Sequence, residues 1–186
     1  MRIISGRNKG KKIIPPVDSN TRPLRDMVKE SVFNLINHSN KFNFILENSY
    51  VLDLFSGSGS FGLECISRGA SQVVFVENYN KALKILNKNL ANFGELKFSK
   101  IIDKNCFDFI NFDIETNQKF NLIFLDPPFK EKKINLLIDT IKEKKILQKN
   151  GIIILHRHKK DNLEITPKLN ILDQRFYGIS KITIGN

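Results

Sequence analysis

The sequence predicts an α/β fold: a mostly parallel, seven-stranded sheet with helices on both faces and one antiparallel strand near an edge. Three observations predict it. From Ser49 onward, short apolar runs alternate with segments whose apolar residues recur every three or four positions, the pattern of strands joined by helices. The last two strand-like runs, NILDQRF and SKITIG, have no helix between them, so one of them has to run against the others. The run LIFL at residues 122–125 passes straight into Asp126, two prolines and Phe129, which fixes a carboxylate and a ring at a strand end, where sheets of this kind bind ligands.

The elements follow in order. Residues 1–23 read as a basic extension, with Arg2, Arg7, Lys9, Lys11 and Lys12 in the first dozen positions, no acid among them, and Gly6 and Gly10 as spacers. Such a segment stands as a solvated arm or follows a phosphate backbone. Over residues 24 to 37, Val28, Val32, Leu35 and Ile36 recur at helical spacing. SYVLDLF is then an apolar strand, SFGLECISRG a helix closed by Gly69, and SQVVFVE a second strand. In NKALKILNKNLANFG, Leu83, Leu86, Leu90 and Phe93 share one face and Gly94 stops the helix. KFSKIID and FNLIFLD are the third and fourth strands, with a short, weaker helix over residues 105 to 113 between them. A helix with Ile134, Leu137, Ile138 and Ile141 on one side leads to the strand GIIILHR, and the two tail strands flank Tyr177 and Gly178, where a hairpin fits. With no internal repeat and no long linker, residues 24–186 read as one domain.

The formal charge of +11, from 30 Lys and Arg against 19 Asp and Glu, points to an anionic partner, nucleic acid first. Part of the lysine excess belongs to a chain rich in Lys, Asn and Ile throughout, the composition of an A/T-biased genome. No apolar run reaches membrane-spanning length, and the basic start has no apolar stretch behind it, so a soluble, cytoplasmic protein is expected, by default a monomer. Cys65 and Cys106 lack metal-ligand spacing and are expected as reduced core residues, with no metal site.

The first strand runs into VLDLFSGSGSFGLE, where Gly57, Gly59 and Gly62 satisfy G-x-G-x-x-G between a strand and a helix. A backbone without Cβ turns tightly and lets a ligand lie against it. Glu77 ends the following strand, where its carboxylate can accept from both hydroxyls of a ribose. This spacing suits a nicotinamide dinucleotide as well as S-adenosylmethionine, and a plain tight turn is the alternative without a ligand. Asp53 favours the second cofactor, because an acid just before the loop repels a pyrophosphate and attracts a cation. LDPPF, across the crevice, has no part in hydride transfer.

VLDLFSGSGSFGLE resembles the cofactor motif of class I methyltransferases, and LDPPF resembles the Asp/Asn-Pro-Pro-Phe/Tyr motif of amino-methyltransferases. RIISG at the start, TRPLRDMVKESVFNLI, SRGAS and the late FYG narrow the likeness, over nearly the whole chain, to the RsmD family of ribosomal RNA guanine 2-amino methyltransferases. The resemblance implies a Rossmann-like class I methyltransferase domain, S-adenosylmethionine as cofactor, and ribosomal RNA or the assembling small subunit as partner. It implies that Asp53, Ser56, Gly57 and Gly59 line the methionine end of the cofactor, Glu77 the ribose and Asn105 the adenine. The Asp126 carboxylate and the Pro127 carbonyl are implied as acceptors for the two N–H groups of the target amine, with Phe129 as the platform on which the base stacks. The extension, through Arg2, Arg7, Lys9, Lys11, Lys12 and Arg22, together with Arg25, is expected to hold the RNA backbone.

The chain departs from that pattern at four positions. Asn105 stands where the family has Asp, Leu24 and Met27 where Thr and Arg are usual, and His156 where an acid is common. His156 and His158 are expected at the surface or against RNA, not on a metal, since no third ligand accompanies them. Two rival functions remain: an adenine 6-amino methyltransferase acting on DNA, and a non-catalytic RNA-binding module that kept the fold. The length leaves no room for a separate target-recognition domain, and the intact Asp53, glycine loop, Glu77 and Asp126 argue against a decayed site.

Overall fold

The computed structural model describes residues 1–16, 18, 24–113 and 118–186. Arg22, one of the cations expected on RNA, lies outside the described residues. In chain order the elements are α1 (Asp26–His38), β1 (Tyr50–Leu54), α2 (Ser60–Ser67), β2 (Gln72–Glu77), α3 (Asn80–Phe93), β3 (Ser99–Asp103), α4 (Cys106–Asp108), β4 (Phe120–Leu125), α5 (Ile134–Glu143), β5 (Leu147–His158), β6 (Ile171–Tyr177) and β7 (Ser180–Gly185). The seven strands form one sheet in the order β3-β2-β1-β4-β5-β7-β6, parallel as far as β5 and antiparallel on both sides of β7. The antiparallel strand is therefore one place in from the edge, and its hairpin with β6 turns at Gly178, whose φ of 59° suits glycine.

Alternate strand residues serve two cores. Val51, Val73, Phe75, Leu122 and Phe124 pack with α1, α2 and α3 on one face, while Leu52, Val74, Ile123 and Ile153 pack with Ile110 and α5 on the other. Burial on both faces is why the strands read as nearly continuous apolar runs. Phe61 stacks on Phe124 with ring centroids 3.7 Å apart, and Phe33 of α1 stacks on Phe61 at 5.1 Å, which ties helix to helix to sheet.

The chain winds outward from β1 to β3 and then returns to set β4 against the other side of β1. Strand order reverses there, which opens a crevice at the carboxyl ends of the two strands. Leu54 is in register with Leu125, so the glycine loop and Asp126 leave the sheet side by side.

Residues 1–16 of the basic extension are folded onto the body, which corrects the picture of a solvated arm for that part. Arg2 and Lys12 form an antiparallel bridge, and Ile3 and Ile13 are buried in the same core as Val28 and Phe33. Glu64 of α2, fully buried, accepts the N–H groups of Ile4 and Ser5 at 2.8 and 2.9 Å. Gly6 packs so closely that a Cβ there would lie 1.8 Å from the Ser67 carbonyl oxygen. Every residue of α2 is buried as a result, sandwiched between the sheet and this covering hairpin.

Two element boundaries differ from the sequence reading. The weak helix is one α-helical turn, Cys106–Asp108, continued by a π-helical turn, Phe109–Asp113. β5 starts at Leu147 rather than at Gly151, with a register shift opposite β4 between Phe120 and Leu122.

Candidate active site

Phe55 carries β1 into the glycine loop with a φ of 61°, a left-handed conformation that bulky side chains seldom adopt. Its N–H points to the Cys106 sulfur at 3.2 Å, and its ring meets Phe107 edge-on at 6.2 Å. Gly57 and Gly59 follow with φ of 55° and 78°. A Cβ on Gly59 would come within 2.4 Å of Leu86, and one on Gly62 within 2.2 Å of Phe75, so Gly59 serves the turn and Gly62 the packing of α2 on β2. Ser56 fastens the loop, its hydroxyl donating to the Asp53 carbonyl at 2.6 Å and its N–H to the Val76 carbonyl at 3.1 Å. Glu77 accepts from the N–H groups of Gly57, Asn78 and Tyr79 at 2.8, 2.9 and 2.9 Å, which sets its carboxylate at the tip of β2.

Asp53 is 1% exposed and accepts the Gly62 N–H at 3.0 Å, so it caps the first turn of α2 from the strand beneath. Burial pushes its carboxyl well above the usual carboxylate range; the charges of Asp126 and Glu77 add to the rise, while the Gly62 bond opposes it. Among the described residues, no lysine or arginine pairs with it. The crevice thus gathers three acids around a glycine turn, a setting that repels a pyrophosphate and suits a ligand carrying positive charge beside a ribose. S-adenosylmethionine, with its sulfonium and ammonium groups, fits that donor set.

Asn105 departs from expectation in one respect. Its side-chain oxygen, assigned from sequence to adenine, accepts the Phe107 N–H at 2.9 Å as the N-cap of α4. The amide's other polar group is an NH2, which can only donate. An aspartate here would cap with one oxygen and offer a second acceptor.

Asp126 begins the loop after β4, its N–H reaching the Leu54 carbonyl at 3.4 Å. His156 is the correction on this side of the crevice: it is 2% exposed, not on the surface, with Nδ1 at 2.8 Å from Asp126 Oδ1 and Nε2 at 2.8 Å from Ser180 Oγ. Its strand is buried on both faces, and β7 supplies the polar partner that makes burial tolerable. Phe129 is half-buried, held edge-on by His156 and His158 at 6.0 and 5.1 Å.

Arg157 was missed in the sequence. Nearly fully buried, it donates to the carbonyls of Pro128, Phe129 and Glu131 at 3.0, 2.9 and 3.0 Å and pairs with Asp161, so one guanidinium clamps the loop that carries Asp126 and Phe129. The Pro127 carbonyl is not among the three it takes. The available signal was an arginine at the tip of the strand next to LDPPF, overshadowed by the two histidines flanking it.

The predicted RNA-binding cations are spread over the molecule. Arg7 makes a two-point contact with Glu95 at 3.1 and 2.6 Å and lies over the Phe98 ring, while Lys11 lies over Phe93. Gly6 to Asn8 rest on Ser67 and Glu95, beyond the carboxyl ends of α2 and α3, at the end of the sheet opposite Asp126. Arg2 and Lys12 sit nearer the crevice, where the Arg2 carbonyl accepts from Lys29; Lys9 and Arg25 are exposed. Around the Phe129 loop itself stand exposed Lys130, Lys132, Lys133, Lys159 and Lys160, which the reading of lysine as compositional bias passed over. Among the described residues, no group of three or more His, Cys, Asp or Glu could hold a metal, and no helix is long and apolar enough to cross a membrane.

The strand order, glycine loop and acid-tipped fourth strand define the class I methyltransferase fold. The structure of yhhF from Escherichia coli, described as a candidate methyltransferase, superposes with a TM-score of 0.83 at 25% identity, covering 100% of this chain and 96% of that one. The chain belongs to the family described as conserved hypothetical protein 95, which matches residues 1–186. It is 32% identical over 181 residues to ribosomal RNA small subunit methyltransferase D of Haemophilus influenzae, covering 96% of this chain and 90% of that one. A Buchnera aphidicola protein of the same name is 31% identical over 166 residues, 89% of this chain and 82% of that one. An RNA methyltransferase from Salinibacter ruber, solved with S-adenosyl-L-homocysteine, shares the fold with a TM-score of 0.64 at 13% identity, covering 88% of this chain and 92% of that one.

Proposed function

We propose that the protein transfers a methyl group from S-adenosylmethionine to the exocyclic 2-amino group of a guanosine in small-subunit ribosomal RNA. The observation that carries this reading is the juxtaposition of Asp126, on a loop clamped by Arg157, with the acid-lined glycine turn one strand away. The names of the relatives support the RNA, and the bound S-adenosyl-L-homocysteine of the Salinibacter protein supports the cofactor. Asp53, Ser56, Gly57 and Gly59 would hold the methionine end, Glu77 the ribose and Asn105 the adenine side. When bound, the cofactor supplies an electrophilic methyl group on a sulfonium.

The remaining chemistry belongs to the chain. An exocyclic amine is a weak nucleophile because its lone pair is conjugated with the ring. Acceptance of its two N–H groups by the Asp126 carboxylate and the Pro127 carbonyl turns that pair toward the methyl. Such orientation is worth up to ~7–11 kcal/mol of the barrier. Positive charge would grow on the nitrogen as the N–C bond forms and the C–S bond breaks with its electron pair left on sulfur, so a fixed anion stabilises the transition state more than the ground state. The amine's surplus proton would leave to water after transfer. Phe129 offers a stacking face worth roughly 1–3 kcal/mol per base, comparable with the stacking a base loses when drawn out. Arg2, Arg7, Lys9, Lys11, Lys12 and Arg25, with the lysines around the Phe129 loop, supply the basic surface for RNA.

Transfer of a tritiated methyl group to small subunits, naked small-subunit RNA and DNA in parallel, followed by nucleoside analysis, tests this reading. Label in N2-methylguanosine from RNA is expected. Label in adenine from DNA, or none in any substrate, would contradict it.

A further inference from the structure

We infer that His156 and Ser180 are positioning residues for Asp126, a hydrogen-bonded chain that fixes the plane of its carboxylate. The inference rests on the amino-methyltransferase reading above. The clamp of Arg157 holds the loop backbone, but the torsion that sets a carboxylate's plane is intrinsically broad, so a rigid loop alone does not aim the oxygens. His156 Nδ1 lies 2.8 Å from Asp126 Oδ1. An ionised carboxylate only accepts, so Nδ1 has to carry the hydrogen. In the neutral ring Nε2 is then an acceptor, and Ser180 Oγ, 2.8 Å away, donates to it.

The tail of the chain thereby serves the site. His156 and Ser180 are diagonal neighbours on β5 and β7, since His158 is in register with Ser180 and His156 with Ile182. The antiparallel strand inserted inside the sheet edge delivers a hydroxyl behind the catalytic acid. The aim of the carboxylate matters because the amine gains positive charge during transfer, and an oxygen turned away from it stabilises that charge less. Both groups are buried, so the chain is shielded from competing water.

The test uses the full-length protein and two readouts. Nitrogen-15 spectra of labelled histidine in the protein without RNA are expected to show His156 as the Nδ1–H tautomer, and the Ser180→Ala variant as a mixture of tautomers. In methyl transfer, His156→Ala is expected to lower kcat by about 10²-fold, the scale of a misaimed reacting group, with the KM for cofactor unchanged and activity partly restored by added imidazole. Ser180→Ala is expected to lower kcat roughly five-fold, the weight of one hydrogen bond, and Ser180→Thr to keep it. An Nε2–H tautomer in the parent protein, or full kcat in a folded Ser180→Ala variant, would overturn the chain. If the parent protein methylates no guanine amine, the function proposed above fails, and the tautomer measurement still decides the chain.

Discussion

Two buried acids touch the same helix and are treated in opposite ways. Glu64, within α2, accepts two N–H groups of the N-terminal hairpin and has Arg68 at 2.7 Å and Lys29 at 3.6 Å. Asp53, which caps the start of α2, receives the Gly62 N–H, and among the described residues the charges that act on it are those of two acids, Asp126 and Glu77. Lys29 itself is so enclosed that burial lowers its pKa, against the pull of Glu64 and Asp26. The chain neutralises Glu64 with its own cations because that acid cross-links the hairpin, α1 and α2. Among the described residues no lysine or arginine pairs with Asp53, which suits the role in cation binding proposed above. The buried acid at one end of α2 is architecture; the one at the other end has no such structural partner and is the group proposed above for a bound cation.

Substitutions can break this contrast. Glu64→Ala should have the largest effect, about 3–5 kcal/mol of stability, because it strands a buried lysine. Denaturant unfolding would measure it, with cofactor affinity of the folded fraction unchanged. Asp126→Ala should follow, with methyl transfer down by about 10²–10³-fold and cofactor binding retained in a dialysis assay. A parental rate in that variant would remove Asp126 from the mechanism.

Asp53→Asn sharpens the contrast because stability and binding should move in opposite directions. Burial raises the Asp53 pKa in the folded state, so that state keeps a proton the unfolded chain has lost. Stability from this group is therefore lost as pH rises from the ordinary carboxylate range, near 4, through the raised value. Melting curves against pH should show the parent losing stability through that window and Asp53→Asn losing less, so the variant is the more stable of the two at neutral pH.

The smallest effect is expected at the surface. Replacing Lys9, Lys11 and Lys12 with Ala should weaken RNA binding and flatten its salt dependence by ~0.7–0.9 for each phosphate no longer neutralised, leaving cofactor affinity alone. The same replacement at Lys130, Lys132 and Lys159 should do likewise. An unchanged salt slope in either variant would take that group out of the interface.

Local features of this molecule were legible in its sequence. Strands covered on both faces must be apolar throughout, so the core strands announce themselves, and the missing helix in the tail revealed the antiparallel strand. The glycine loop was readable because its three glycines recur within one short stretch, Gly57 to Gly62, although the contacts that hold it reach to Glu77 and Cys106. The folded hairpin was not: it depends on Ile3, Ile13 and an acid about 60 positions away, and such contacts leave no periodic trace. The supports of the loop that carries Asp126 and Phe129 were hidden for the same reason. His156 reaches Asp126 across 30 positions and Arg157 reaches Phe129 across 28, joined only once β4 and β5 pair.

Calorimetric titration of S-adenosylmethionine into the parent protein and Asp53→Asn, over a pH series from the ordinary carboxylate range upward in buffers of differing ionisation enthalpy, tests the central contrast most directly. The parent should release protons as the cationic ligand draws the Asp53 proton away. The variant should bind about ten-fold more weakly, a loss of about 1.4 kcal/mol, without that release. Equal affinities with no difference in proton release would contradict the assignment of Asp53 to a bound cation.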